Sequence, residues 1–463
     1  RLPLRKKSGG CEEIGYPFHP NLEERRPRQV NVNKKNKIMK KEDLQWLAKF
    51  TEATVDACRV APGGTAAKGV VNQLPFTAVR PGGRDCYPAI WVQDFTMIFS
   101  SGFLQDAEGL DHLKLFLQCQ NSDTIRMLKS GAIIPPYAIP DHIRLDGRPV
   151  FFPGTYSAEE DQGGEPWGIC PPYNNAFDVV WLAHMLAERT GDPDFLLFEM
   201  GGDTIYERLQ KAYAVPLCDS ETGIVFTTPE ARAVGFIFCD SVYMTGSLLM
   251  ASLLRIRASD HLADLATAIG REEDAEFYAL QAKLGRKHIE MVFAETGTRK
   301  GWLRASTGIS SQTDVWGTIY AIWLKALSHE GQQAARETIV SALERGTIEF
   351  SGALRHIPLG HDASTTSAWE RTVTPHNRYQ NGAYWHMPTG WLIAILRETH
   401  PAIAQAITER YLAHMQENVF TLGSTFGAPW ECIGPERDAW QNSIFGPSAT
   451  VPYGVLADLK FNR

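Results

Sequence analysis

Two kinds of helical segment alternate along this chain, and the alternation restricts the folds open to it. Residues 242–257 are apolar over most of the helix circumference, which predicts a helix covered on nearly all sides. Residues 271–293 differ, because among many charged residues one face carries the apolar side chains Phe277, Leu280, Leu284 and Met291. The same contrast recurs in two further pairs of segments, 313–327 with 330–345 and 382–397 with 401–418.

A 3.6-residue period from residue 42 onward predicts about twelve helices. They begin near residues 42, 90, 107, 174, 203, 242, 271, 313, 330, 382, 401 and 447. Only residues 150–153 and 223–228 resemble strands, and short connections such as 398–400 predict antiparallel hairpins. An open solenoid would need a self-similar repeat, which the sequence lacks. We therefore predict an all-α fold, an (α/α)6 toroid of six helical hairpins with the apolar helices inside.

Charge divides the chain into a basic head and an acidic body. Residues 1–41 hold 12 basic and 4 acidic residues, and the other residues hold 34 and 49. We predict a loosely ordered N-terminal arm over 1–41 and a single (α/α)6-barrel catalytic domain over 42–463. The acidic body argues against a nucleic-acid partner, and no apolar run approaches the roughly 20 residues of a membrane span. The oligomeric state stays open.

The eight cysteines are scattered without a CxxC pair. This pattern predicts reduced, buried thiols in a cytoplasmic protein, without a disulfide framework or zinc site. A metal at His356, His361 and Asp362 is not expected, because these residues lack helical ligand spacing. Residues 63–69 lack the ending of a phosphate-binding loop. We predict neither a cofactor nor a metal.

Six polar and aromatic clusters precede the apolar helices, and they carry the functional prediction. They are Trp91–Asp94, Tyr173–Asn175, Cys239–Ser241, Gln312–Asp314, Tyr379–Asn381 and the stretch from Trp430–Glu431 to Ser448–Tyr453. In a ring of hairpins the inner helices run parallel, so their first residues gather at one end. Aromatic faces and directional amides or carboxylates suit a carbohydrate. The alternative is that these polar residues only cap helices.

The clusters resemble those of the six-hairpin glycosidase superfamily, the glucoamylase-like (α/α)6 barrels, over roughly residues 90–460. Trp91–Asp94 is similar to an aromatic-x-Arg-Asp motif that binds the terminal sugar, with Gln93 where Arg is usual. Tyr379–Trp385 resembles the start of the fifth inner helix. The resemblance implies a glycoside hydrolase. Together with the aromatic and polar residues near the helix starts, it predicts substrate contacts from Trp91, Asp94, Tyr173, Asn174, Asn175, Trp316, Gln380, Asn381, Trp385, His386 and Trp430. His386 has the alternative of being a core histidine.

The order of the superfamily's catalytic groups implies that Asp240 is the general acid and Glu431 the base of an inverting hydrolase. Glycoside cleavage needs one protonated and one ionised carboxyl. We expect burial to raise the pKa of Asp240, while Glu431 stays ionised on a loop rim. The competing interpretations are that Asp240 only caps a helix and that Glu431 is a salt-bridged residue on the rim. Further acidic candidates are Asp314, Glu370, Glu436 and the loop 159–165, which is either solvated or a lid.

Two other functions remain open at this point. A sugar epimerase or polysaccharide lyase on the same toroid would use His or Tyr as its base, with candidates His376, Tyr379, Tyr384 and His386. A catalytically inactive sugar-binding protein would keep the pocket without the chemistry. Sugar identity, linkage and anomeric configuration are not encoded in any motif of the sequence.

Overall fold

Helices make up most of the framework. The computed structural model describes residues 39–84, 86–157, 160 and 162–459, so residues 1–38 of the predicted arm lie outside the described residues. Within the described part the helices are α1 (Lys41–Cys58), α2 (Val92–Phe99), α3 (Asp106–Gln118), α4 (Asn174–Thr190), α5 (Ile205–Tyr213), α6 (Leu249–Ala268), α7 (Glu272–Phe293), α8 (Val315–Trp323), α9 (His329–Glu344), α10 (Thr389–Leu396), α11 (Pro401–Asn418) and α12 (Pro447–Leu456).

The even-numbered helices form a closed inner ring. Helices α2, α4, α6, α8, α10 and α12 contact one another in that order, and α12 contacts α2 again. Helices α1, α5, α7, α9 and α11 pack outside against α12, α4, α6, α8 and α10, and α3 packs against α4. Every residue of α2 and α12 is buried, whereas α9 buries only one stripe. The predicted six-hairpin toroid is confirmed. No described helix is long and apolar enough to cross a bilayer.

Local signals fix the ends of several helices. Thr204 and Glu207 form a capping box at the start of α5, because the Thr204 hydroxyl accepts from the Glu207 N–H and the Glu207 carboxylate accepts from the Thr204 N–H. Pro401 occupies the first turn of α11, where no helical N–H is needed. Gly191 ends α4 with φ of 67°, and its N–H reaches the Ala187 carbonyl at 2.9 Å.

Two inner helices begin seven residues later than predicted. Helix α6 begins at Leu249 instead of 242, and α10 begins at Thr389 instead of 382. Extended segments precede both helices, and their side chains Val242, Met244 and Trp385 are buried. An apolar run alone does not separate buried helix from buried extended chain. The prediction of burial was right there, and the prediction of helix was wrong.

The predicted inward face of α7 was wrong. Phe277, Leu280 and Met291 are 51%, 59% and 65% exposed, and Leu284 is only partly buried. The face that packs on α6 instead consists of Tyr278, Ala282, Gly285, Ile289 and Phe293. A Cβ at Gly285 would lie 2.7 Å from the Ile256 side chain, so α7 approaches α6 closely at Gly285. The predicted apolar face is therefore largely exposed to solvent.

Short antiparallel strands are more frequent than predicted. They are β1 (Arg59–Val60), β2 (Ala78–Val79), β3 (Ala89–Trp91), β4 (Arg126–Met127), β5 (Ile133–Ile134), β6 (His142–Arg144), β7 (Pro149–Val150), β8 (Glu199–Met200), β9 (Asp203–Thr204), β10 (Phe226–Thr227), β11 (Gly246–Ser247), β12 (Glu349–Phe350), β13 (Ala353–Arg355), β14 (Tyr384–Trp385), β15 (Trp430–Cys432) and β16 (Gln441–Ser443). At two or three residues each, they are too short to show a two-residue period. Two groups position the site: β3–β6–β7 and β15–β16.

A buried ion pair links three inner helices. The Arg257 guanidinium on α6 donates to Asp178 on α4 at 3.1 Å and to the Tyr320 hydroxyl on α8 at 2.8 Å. It also lies 4.0 Å from the centre of the Trp181 ring. Burial raises the pKa of Asp178 to about 6, while Arg257 acts in the opposite direction. The ionised Asp178 therefore depends on Arg257.

Replacing Arg257 with Met is expected to lower the free energy of unfolding by about 3–5 kcal/mol, because Asp178 then stays buried without its cation. Urea unfolding at neutral pH measures this loss. Arg286→Met is the matched control, since Arg286 pairs with Asp260 at the partly exposed surface and should lose less than about 1 kcal/mol. Equal losses in the two variants would show that the buried pair has no special role in stability.

Candidate active site

One cavity lies where the predicted clusters meet. It contains about 460 Å³ of space, including the part open to solvent. Its walls come from the starts of α2 and α4 and from the segments before α6, α10 and α12. The lining residues are Tyr87, Trp91, Gln93, Asp94, Asp141, Pro153, Asn174, Asn175, Gly235, Phe238, Asp240, Tyr379 and Glu431. Five of the six clusters therefore contribute to one cavity.

The strand β3 runs directly into α2 and sets one wall. Trp91 ends β3 and precedes the first turn of α2, which carries Asp94. Trp91 pairs with His142 of β6, and the Val92 N–H donates to the Asp141 carbonyl at 3.3 Å. This register brings Asp141 beside the start of α2. The His142 ring stacks on Trp91 with centroids 4.3 Å apart, and its Nδ1 lies 2.8 Å from the Asp141 carboxylate.

Glu431 lies on β15, and it is buried rather than exposed on a rim as predicted. Its side chain is 1% exposed. The Tyr87 hydroxyl donates to Oε2 at 2.5 Å, Asn442 Nδ2 donates to the same oxygen, and the Tyr379 hydroxyl lies 3.4 Å from Oε1. Burial raises the pKa of Glu431 to about 7, although the hydrogen bonds from Asn442 and Tyr87 lower it.

Asp240 approaches the cavity from the segment before α6. Gln380 Nε2 donates to its Oδ1, and Gln380 Oε1 accepts from the Ser241 N–H at 2.7 Å. Gln380 is fully buried, so it positions this segment. Burial raises the pKa of Asp240 to about 6, while the bond from Gln380 lowers it. Burial thus raises the pKa of Asp240 as expected, but Glu431, which was expected to stay ionised on a rim, has the higher pKa of the two.

Six of the predicted site residues line the cavity, and the others lie outside its lining. Those in the wall are Trp91, Asp94, Asn174, Asn175, Asp240 and Glu431. Those outside its lining are Tyr173, Trp316, Gln380, Asn381, Trp385, His386 and Trp430.

Several of the residues outside the lining have structural contacts instead. Asn381 Oδ1 accepts from the Ala368 N–H at 2.8 Å, and Asn381 Nδ2 donates to the Thr374 carbonyl at 2.8 Å. Trp316 is fully buried and stacks on His356, with ring centroids 3.5 Å apart. The Trp385 ring stacks on Phe238. Trp385 therefore lies behind the cavity wall rather than in it.

The remaining acidic candidates also lie apart from the cavity. Asp314 caps α8, accepting from the Gly317 N–H at 2.8 Å, and so acts as the helix cap that was the alternative interpretation. Glu370 and Glu436 are exposed. In the acidic loop, residues 159 and 161 lie outside the described residues, and Glu165 pairs with Arg232 at 3.1 Å.

Tyr87, Asp141 and Gly235 line the cavity but were not predicted from the sequence. Tyr87 has φ of 58°, and no motif marks it. Asp141 enters the site only through the pairing of β3 with β6. Gly235 packs against Asn174, because an added Cβ would lie 2.0 Å from Asn174 Oδ1. The His142 that follows Asp141 is a local polar pair that could have drawn attention to it.

Comparison with known proteins gives structural likeness only. No protein-family model and no curated protein matches the sequence. The fold is similar to the GH63 mannosylglycerate hydrolase from Thermus thermophilus in complex with glucose, with a TM-score of 0.53 and 13% identity over 88% of this chain and 99% of that one. A glycosidase variant is similar with a TM-score of 0.51 and 12% identity, and the match covers 90% of this chain and 96% of that one. The rhamnosidase from Klebsiella oxytoca with rhamnose bound is similar with a TM-score of 0.50 and 11% identity, and the match covers 90% of this chain and 64% of that one. These values show a shared toroid fold.

Proposed function

We propose that this chain is a glycoside hydrolase that cleaves a terminal glycosidic bond with Asp240 as general acid and Glu431 as base. The observation that carries the proposal is that both carboxyls face one cavity beside Trp91, and both have pKa values raised by burial. Glycosidases need such a pair of carboxyls on either side of the bond. The three solved structures compared above are named as glycosidases, which supports the same reaction class.

The two carboxyls differ in the hydrogen bonds that they accept. Glu431 accepts from the Tyr87 and Tyr379 hydroxyls and from Asn442, and these donors stabilise its ionised form. Asp240 accepts one side-chain hydrogen bond, from Gln380. In the proposed reaction Asp240 gives its proton to the departing glycosidic oxygen as the bond to the anomeric carbon breaks. Glu431 takes a proton from the water that attacks that carbon on the opposite face, which inverts its configuration.

The lyase and epimerase alternative receives less support. Of its four candidate residues only Tyr379 lines the cavity, and the Tyr379 hydroxyl donates to Glu431. His376 Nε2 lies 3.4 Å from Asp362 Oδ2, and His386 Nε2 lies 3.1 Å from the Ser351 carbonyl.

Screening aryl glycosides, disaccharides and uronate polymers tests the proposal. Release of reducing sugar supports hydrolysis, an unsaturated uronate that absorbs ultraviolet light and forms from the uronate polymers indicates a lyase, and sugar binding without turnover indicates an inactive protein.

The proposal also covers the domain organisation, the location and the partners of the protein. Residues 42–463 would act as one catalytic domain on a carbohydrate, with a cytoplasmic location and neither a nucleic-acid nor a membrane partner. The described cysteines are all free, and free thiols are typical of reducing compartments.

Replacing Tyr87 with Phe is expected to lower kcat more at acidic than at alkaline pH. The Tyr87 hydroxyl lowers the pKa of Glu431 by donating to its ionised form, so its removal raises that pKa and the base ionises later. Measuring kcat from pH 4 to 9 tests this. Tyr206→Phe is the matched control, since its hydroxyl contacts Asp274 of α7. A ratio of variant to wild-type kcat that is the same at every pH would contradict the role of Glu431 as base.

A further inference from the structure

The charge of the cavity wall is unbalanced. Four carboxyl groups line it, from Asp94, Asp141, Asp240 and Glu431, and no Lys or Arg is among its described lining residues. Buried carboxylates without a cation are costly, because the low-dielectric interior disfavours isolated charge. The wall therefore lacks positive charge, and a cationic ligand would supply it.

Asp94 is the least compensated of the four carboxyls. It is 5% exposed, it lies on the cavity, and no side chain among the described residues hydrogen-bonds to it. Its neighbour Gln93 carries a neutral amide, at the position where the resembling motif has a guanidinium. Burial raises the pKa of Asp94 well above its usual range, and the charges of Glu431 and Asp141 raise it further, so Asp94 needs a neighbouring cation to be ionised near neutral pH.

Most side-chain donors of the wall already have acceptors within the protein. Asn174 Nδ2 donates to Gln93 Oε1 at 2.9 Å and to Asn175 Oδ1 at 3.0 Å, and Asn175 Nδ2 donates to the Pro140 carbonyl at 3.2 Å. The hydroxyls of Tyr87 and Tyr379 donate to Glu431. The cavity thus offers a ligand mainly acceptors, which favours a ligand rich in donors.

We propose that the site selects a terminal sugar that carries a positively charged amino group, which Asp94 and Asp141 bind. An ammonium group has three donors, no acceptor and the charge that the wall lacks. The same wall disfavours uronates and sugar phosphates, because its described lining holds no Lys or Arg to pair with their negative charge. This inference rests on the proposed function, because it places the terminal sugar in the same cavity as Asp240 and Glu431.

Calorimetric binding of matched methyl glycosides tests the inference without requiring turnover. The pairs are glucose with glucosamine, mannose with mannosamine and galactose with galactosamine, measured at pH 6.5, with the N-acetylated amines and methyl glucuronide as charge controls. We expect at least one amino sugar to bind about tenfold or more tightly than its hydroxyl partner, which is about 1.4 kcal/mol. N-acetylation should remove this gain, and the glucuronide should not bind.

Variants locate the preference within the cavity. Asp94→Asn should reduce the preference for the amino sugar to less than about threefold, because one of the two carboxylates near the ammonium is gone. Glu276→Gln, at an exposed position of α7, is the matched carboxylate-to-amide control and should retain the full preference. No amino sugar binding more tightly than its partner, or an equal preference in both variants, would overturn the inference. Hydrolysis of neutral glycosides without such a preference would reject the inference alone, and ammonium binding without any hydrolysis would reject the proposed function.

Discussion

Replacing Glu431 with Gln is expected to lower kcat by roughly 10²–10⁴-fold, the contribution of a general base. The amide keeps the size of the side chain and can still contact Asn442 and the two tyrosines, so the cavity stays formed. It cannot take the proton of the attacking water. Sugar affinity should change little, because the base acts on water and not on the substrate hydroxyls.

Steady-state kinetics and calorimetric sugar binding measure the two parts of this result separately. Glu370→Gln is the matched control, because Glu370 is exposed and lies outside the cavity. Activity within about threefold of wild type in Glu431→Gln would remove Glu431 from the mechanism. Loss of sugar binding together with activity would assign it to substrate recognition instead.

Replacing Asp240 with Asn is expected to cause a loss that depends on the leaving group. With an alkyl or sugar leaving group, the departing oxygen needs a proton, and kcat should fall by roughly 10²–10⁴-fold. With a glycosyl fluoride or a dinitrophenyl glycoside, the leaving group departs without protonation, and most of the rate should remain. The comparison therefore reports on the proton donor separately from general damage to the site.

The opposite pattern would reverse the two assignments. If Glu431→Gln is rescued by an activated leaving group and Asp240→Asn is not, then Glu431 is the acid. Both pKa values lie near neutrality, at about 7 for Glu431 and about 6 for Asp240, so the kinetics decide the direction of proton transfer. Asp203→Asn, at an ion pair with Lys211 outside the cavity lining, should show no dependence on the leaving group.

The fold could be predicted from the sequence where a helix is buried around its whole circumference. Segments that become α8 and α10 are apolar on all sides, and this pattern alone assigned them to the inner ring. Prediction failed where a few residues decide the conformation. Gly285 lets α7 approach α6 closely on the face opposite to expectation, and the strands β11 and β14 displace the starts of two inner helices.

The site was predictable to the extent that its residues begin helices. Asp94 and Asn174 lie in first turns of inner helices, so a ring of parallel helices brings them together. Asp141 and Tyr87 reach the cavity through strand pairing and a positive φ angle, which depend on distant parts of the chain. The burial of Glu431 depends on β16, which supplies Asn442. No local pattern around residue 431 contains that information.

The most direct test of a hydrolase with Asp240 and Glu431 on either side of the bond is ¹H NMR of the first product released from a panel of aryl glycosides and disaccharides. The anomeric proton reports the configuration before mutarotation. The account predicts a free sugar whose anomeric configuration is opposite to that of the substrate, and no product from Glu431→Gln on the same timescale. A product that retains the substrate configuration, or equal product from wild type and Glu431→Gln, would contradict it.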